Sequence, residues 1–111
     1  MPSDSLAEFE LLVILAALRL GPDEAYTVSI ARDIEERTGR FVRRASVYIT
    51  LQRLEAKGIV STRMGEARPE RGGRRPRLVA VTAEGISAAR ATTDAIRAMI
   101  GDLDGFAGER A

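Results

Sequence analysis

At 111 residues and 12.0 kDa the chain has room for one domain with a modest core and not for two. It has no cysteine and no histidine, which excludes disulfides, thiolate or imidazole metal sites, a nucleophilic cysteine and the commonest general base. The formal net charge of +1 conceals a strong polarisation: residues 1–39 carry a net −5, residues 40–77 a net +8 and residues 78–111 a net −2. A charge run is ordinarily a solvated face, but this one coincides with a helix–hairpin pattern suited to a polyanion.

In chain order, residues 3 or 4 to 19 are expected to form the first helix. Leu6, Phe9, Val13, Ala16 and Leu20 follow helical spacing, and Leu11, Leu12, Leu15 and Leu18 add a second apolar side. A helix apolar over most of its circumference either packs densely in its own core or meets a second subunit. No basic run precedes its apolar stretch, so no signal peptide is read, and the eight residues LLVILAAL fall far short of the ~20 needed to span a bilayer. A cytoplasmic protein without membrane contact is therefore the expectation. Gly21 and Pro22 end the helix.

Thr27 is the expected N-cap of a second helix over residues 28–38, closed by Gly39. Ile30, Ala31 and Ile34 form its buried stripe, with Arg32, Asp33, Glu35, Glu36 and Arg37 toward water. The third helix begins near residues 44–46 and ends at Gly58. Val47, Leu51 and Leu54 share its core face, which turns Ala45, Ile49, Gln52, Arg53 and Ala56 outward and leaves Ser46, Tyr48 and Thr50 on the flanks. Such an outward face suits base reading: Arg53 toward guanine, Gln52 toward adenine, Ile49 toward a thymine methyl. Ile49 alternatively packs sideways on the hairpin or the first helix, and Tyr48 either bonds a phosphate or fills a helix junction. Arg43 and Arg44 precede this face and join it as candidate DNA contacts.

Residues 59–64 and 78–81 are expected to pair as a hairpin, with Thr82 capping a last helix. The loop between them, residues 65–77, carries Arg68, Arg71, Arg74, Arg75 and Arg77 among Pro69, Gly72, Gly73 and Pro76. Arginines on a pliable tip can lie along phosphates or enter a narrow minor groove. The last helix is expected over residues 83–103. Ile86, Ala89, Thr93, Ile96, Ile100 and Leu103 are spaced as a heptad seam, which needs a partner helix. Together with Leu6, Phe9 and Val13 this seam is the expected homodimer contact. The tail from Gly105 is expected to fray.

The segment SVYITLQRLEAKGIV followed by STRMGEARPERGGRRPRLVAVTAEG resembles the winged helix of the PadR family of bacterial transcriptional regulators. The resemblance rests on the Val47-Tyr48 pair, on Arg53-Leu54-Glu55 with Gly58-Ile59-Val60, on the Gly72-Gly73-Arg74 wing, and on Thr82-Ala83-Glu84-Gly85; it runs over roughly residues 10–87. It implies a mainly α fold with a small β-hairpin: a winged helix-turn-helix DNA-binding domain over residues 1–82 and a dimerisation helix with a tail over residues 83–111. It also implies recognition through Tyr48 and Arg53, a wing contact through Arg74 to Arg77, and dimerisation through the last helix. Leu78, Val79 and Ala80 stand where family members usually carry aromatic residues, and there is no tryptophan. Only Phe9, Tyr26, Phe41, Tyr48 and Phe106 remain to stack on a small-molecule effector, whose existence and identity stay open. The expected function is repression from an inverted-repeat duplex DNA operator. The alternative is a winged-helix module that docks an acidic protein. No cofactor, metal or enzymatic activity is expected, since no carboxylate pair stands in an acid–base arrangement.

Overall fold

A computed structural model of the chain describes residues 6–69 and 72–106. Its elements are α1 (Glu8–Leu20), α2 (Thr27–Thr38), α3 (Arg44–Ala56), β1 (Val60–Met64), β2 (Arg77–Val81) and α4 (Ala83–Ile100). The first three helices enclose the core, the antiparallel β1–β2 hairpin lies beside them, and α4 crosses back onto α1.

Helix α1 starts later than its apolar pattern suggests. Leu6 and Ala7 are not helical, and residues 3–5 lie outside the described residues. The start is set by Glu10, whose Oε1 accepts the Ala7 N–H at 3.0 Å while its Oε2 meets Lys57 Nζ at 3.1 Å. One carboxylate thus closes the first turn of α1 and ties it to the residue following α3. Burial is the largest single influence on this carboxyl and raises its pKa. The Ala7 N–H and the Lys57 and Arg53 charges outweigh it, holding the pKa below 4.5. Tyr26, not Thr27, is the N-cap of α2, and its N–H donates to Ser29 Oγ at 3.0 Å.

Asp33 and Glu35 do not simply face water. Asp33 joins Arg19 at 3.0 Å and Arg37 at 3.2 Å, and Glu35 Oε2 accepts the Val42 N–H at 2.9 Å. Glu35 therefore fixes the turn that aims α3. Within α3, Val47, Leu51 and Leu54 are buried as their spacing predicts, and Thr50 is buried with them. Positions 47, 50, 51 and 54 form one continuous helical stripe, so the core takes Thr50 off the flank. The helix ends in a Schellman turn: Ile59 N–H donates to Leu54 O at 2.9 Å and Gly58 N–H to Glu55 O at 3.0 Å, with Gly58 at φ +78°.

Thr82 and Gly85 weld the hairpin to α4. Thr82 Oγ1 accepts the Gly85 N–H at 3.0 Å and donates to Gly58 O at 2.7 Å. Gly85 lies so close to the hairpin that a Cβ there would sit 2.2 Å from Ile59 O. The spacing Thr-x-x-Gly is thus a cap followed by a close approach. Farther along, Ala88 and Ala89 are buried, but every residue from 94 to 99 is exposed. The second half of α4 therefore stands off the body on all sides. The radius of gyration, 15.4 Å, exceeds the ~13 Å of a compact chain this long. The helix stops at Ile100, with Gly101 at φ +51°, so Leu103 is not on the helical seam. Among the described residues no helix is long and apolar enough to cross a membrane.

Candidate nucleic-acid interface

The outward side of α3 is open along its length. Arg43, Arg44, Ala45, Ser46, Tyr48, Ile49, Gln52 and Arg53 are all exposed. Ile49 is 46% exposed, which removes the sideways packing that its aliphatic character permitted. Arg43 and Arg53 have no side-chain hydrogen bond or ion pair among the described residues. Arg44 differs from them, because its Nη1 donates to Glu35 Oε2 and to Val42 O, both at 3.2 Å. It braces the turn between α2 and α3 and is only partly available to a ligand.

Between α3, the start of α2 and the hairpin lies a cleft of about 380 Å³. Leu51 and Val79 line its apolar part; Tyr26, Tyr48, Gln52, Glu55, Thr62 and Arg77 supply the polar groups. Gln52 Nε2 donates to Tyr48 Oη at 3.4 Å. Across the cleft Thr62 Oγ1 donates to Glu55 Oε2 at 2.9 Å and accepts from Arg77 Nη1 at 3.2 Å. This chain fixes the angle between α3 and the hairpin, so Arg77 is in part a brace.

The tip of the wing is tighter than its glycines and prolines suggest. The β1–β2 ladder extends through Gly65 N–H to Pro76 O at 2.8 Å, and Gly73 N–H closes onto Arg68 O at 3.0 Å. Arg74 is exposed and has no side-chain partner among the described residues. Arg75 Nε donates to Gly65 O at 2.9 Å. Arg71 lies outside the described residues. Arg68 is folded back onto the turn between α1 and α2, with 23% of its side chain exposed, and does not project from the tip.

Sequence reasoning missed Arg63 and Thr62, and used Glu55 only within the Arg53-Leu54-Glu55 motif, without its bond to Thr62. Their partners lie on other elements, and no local motif marks Arg63 or Thr62. Among the expected dimer residues, Leu6, Val13 and Ala89 are buried in their own protomer. Helical spacing correctly finds them apolar, but the core of the same chain claims them. Phe9 and Thr93 are half-buried; Ile86, Ile96 and Leu103 are exposed, and Ile100 is partly so. Among the described residues no group of three His, Cys, Asp or Glu side chains is placed to hold a metal ion.

Three core helices, a two-stranded wing and a basic outer face define the winged helix-turn-helix class, which docks a helix in the major groove of duplex DNA. Residues 14–91 match the transcriptional regulator PadR-like family, and the chain belongs to that family. A PadR family transcription regulator from Clostridium difficile R20291 is 24% identical over 87% of this chain and 98% of its own, with a TM-score of 0.67. A PadR family regulator from Eggerthella lenta is 19% identical over 79% of this chain and 73% of its own, with a TM-score of 0.64. The hsRosR-S1 complex contains a chain 26% identical over 85% of this one and 75% of its own, with a TM-score of 0.63. No curated protein sequence matches the chain. As a PadR-like transcriptional regulator it has DNA as its partner.

Proposed function

We propose that the chain is a cytoplasmic repressor that binds an inverted-repeat operator as a homodimer. The observation that carries this reading is the uncovered outer face of α3, where Arg53, Gln52 and Ile49 are exposed above a buried Val47–Leu51–Leu54 stripe. Placed in the major groove, these three side chains meet guanine, adenine and a thymine methyl. With the wing along the adjacent backbone, the intervening strand passes the cleft between α3 and β2. There the Tyr48 hydroxyl and Arg77 are within reach of phosphate, and Arg74 meets the next phosphates beyond.

Support for the homodimer comes from α4. Its second half exposes Ile96 (48%) and Met99 (82%), within a run, residues 94–99, that is exposed throughout. A second copy packed there, with contributions from Phe9 and Ile86, sets two recognition helices on one face related by a two-fold axis. Their separation then dictates half-sites about one helical turn apart.

The test is equilibrium titration of two variants on the best-bound duplex and on a scrambled one. Arg53→Ala is expected to cost roughly 1–3 kcal/mol on the preferred duplex and to relax one base position. Arg74→Ala is expected to weaken both duplexes alike and to flatten the salt slope by about one unit. Equal losses on both duplexes for Arg53→Ala refute base reading by α3, and leave the basic face as a general polyanion or acidic-protein surface.

A further inference from the structure

Two arginines of the hairpin, Arg63 and Arg68, are already occupied by carboxylates of one turn. Arg63 Nη2 lies 2.8 Å from Asp23 Oδ1 and 3.4 Å from the Pro22 carbonyl oxygen. Arg68 donates from Nη1 to Glu24 Oε1 at 3.2 Å and from Nη2 to Asp23 O at 2.8 Å, and its guanidinium lies 6.0 Å from the centre of the Tyr26 ring. The acids belong to the turn between α1 and α2. That turn is held in place independently of the ion pairs, because Val79 N–H of β2 donates to Ala25 O at 2.8 Å. The carboxylates are therefore mounted beside the wing on a fixed support.

A carboxylate offers a guanidinium what a phosphate diester offers: anionic oxygens positioned for paired N–H donors. We propose that Asp23 and Glu24 are built-in competitors for the DNA backbone, holding Arg63 and Arg68 and so keeping the wing's sequence-independent affinity below what its arginine content allows. This rests on the reading of the wing as a DNA contact. The two pairs are unequal. Asp23 and Arg63 are 84% and 57% exposed, so the pair is well screened and a phosphate displaces it readily. Arg68, with 23% of its side chain exposed and three separate partners, is the firmer one. Competition of this kind subtracts contacts mainly from non-specific binding, which depends on phosphate contacts alone.

The experiment compares the full-length chain with the double variant Asp23→Asn/Glu24→Gln on a scrambled duplex between about 50 and 200 mM salt. Each released arginine that reaches a phosphate steepens the slope of log K against log[salt] by about 0.9. Both together steepen it by about 1.8, so the variant's advantage shrinks about twelvefold across that fourfold salt range. At the low-salt end the variant is expected to bind about tenfold tighter. Adding Arg63→Ala and Arg68→Ala to the double variant is expected to return the slope to that of the wild type. A control that removes two exposed acids elsewhere, Glu36→Gln/Asp104→Asn, is expected to leave the slope nearly unchanged.

An unchanged slope in Asp23→Asn/Glu24→Gln, an equal change in the control, or weaker binding by the variant at the low-salt end each overturns the proposal. The last would make the turn a support for the wing and nothing more. Wild-type chain that binds no duplex in a salt-dependent manner fails before any variant is compared, and refutes the DNA-binding reading of the wing together with the competition built on it.

Discussion

Replacing Gly85 by alanine sets two physical effects of opposite sign against each other. Gly85 lies inside the first turn of α4, where alanine is intrinsically favoured by about 0.8–1.0 kcal/mol. Its position, however, is against the start of the hairpin. An added Cβ would lie 2.2 Å from Ile59 O, 2.8 Å from Val81 Cγ1 and 3.1 Å from the Ile59 carbonyl carbon. Two of these three atoms are backbone and cannot rotate away. Restoring ordinary contact distances moves α4 off the hairpin by about 1 Å. The same carbonyl accepts the Thr82 N–H at 3.0 Å, and that bond stretches with the shift. One weakened hydrogen bond at roughly 0.5–1.5 kcal/mol, plus ~1–3 kcal/mol for overpacking, exceeds the propensity gain. The expected net loss is about 2 kcal/mol, or roughly 10 °C in Tm for a domain of this size. Urea denaturation followed by circular dichroism, at one fixed protein concentration because a dimer's stability depends on it, measures the change. A Gly85→Ala variant as stable as the wild type, or more stable, refutes the close-approach account.

Thr82→Ala removes the acceptor for the Gly85 N–H and the donor to Gly58 O, and is expected to cost about 1–2 kcal/mol in the same assay. Glu10→Gln keeps the shape of the α1 cap but loses its charge, with an expected cost of about 1 kcal/mol at pH 7. The Glu10 carboxyl is held below 4.5, so its contribution is complete above that pH and is lost as pH falls through the depressed value. The stability gap between wild type and Glu10→Gln is therefore expected to close below about pH 4.5 in a pH series of urea midpoints, and a gap that widens there contradicts the assignment. Ile96→Glu places a charge on the exposed second half of α4 and is expected to shift sedimentation equilibrium toward monomer without lowering helix content. Unaltered association would move the proposed interface off α4.

The architecture was legible where one periodicity acted alone. Val47, Leu51 and Leu54 announced the core face of α3, Ile30, Ala31 and Ile34 that of α2, and Gly58 the end of α3. Errors arose where a tertiary contact chose among local options. Glu10 and Lys57 decide where α1 begins, Ser29 receives the Tyr26 N–H at the start of α2, and the core absorbs Thr50 although its helical position suggested a flank. Charge was the least transparent signal. Arg68 and Arg74 look alike in the sequence, but the first is folded onto Glu24 across 44 positions and the second is exposed without a side-chain partner among the described residues. Likewise, spacing alone could not separate Val13 and Ala89, which serve their own core, from Ile96, which stands outside it.

Selection of bound sequences from a random duplex library tests operator binding by a symmetric dimer. The expected winner is an inverted repeat with half-sites about one helical turn apart, preferred over scrambled duplex by at least ~10³. Recovery of no common sequence, with equal salt-sensitive binding to every duplex, would contradict it.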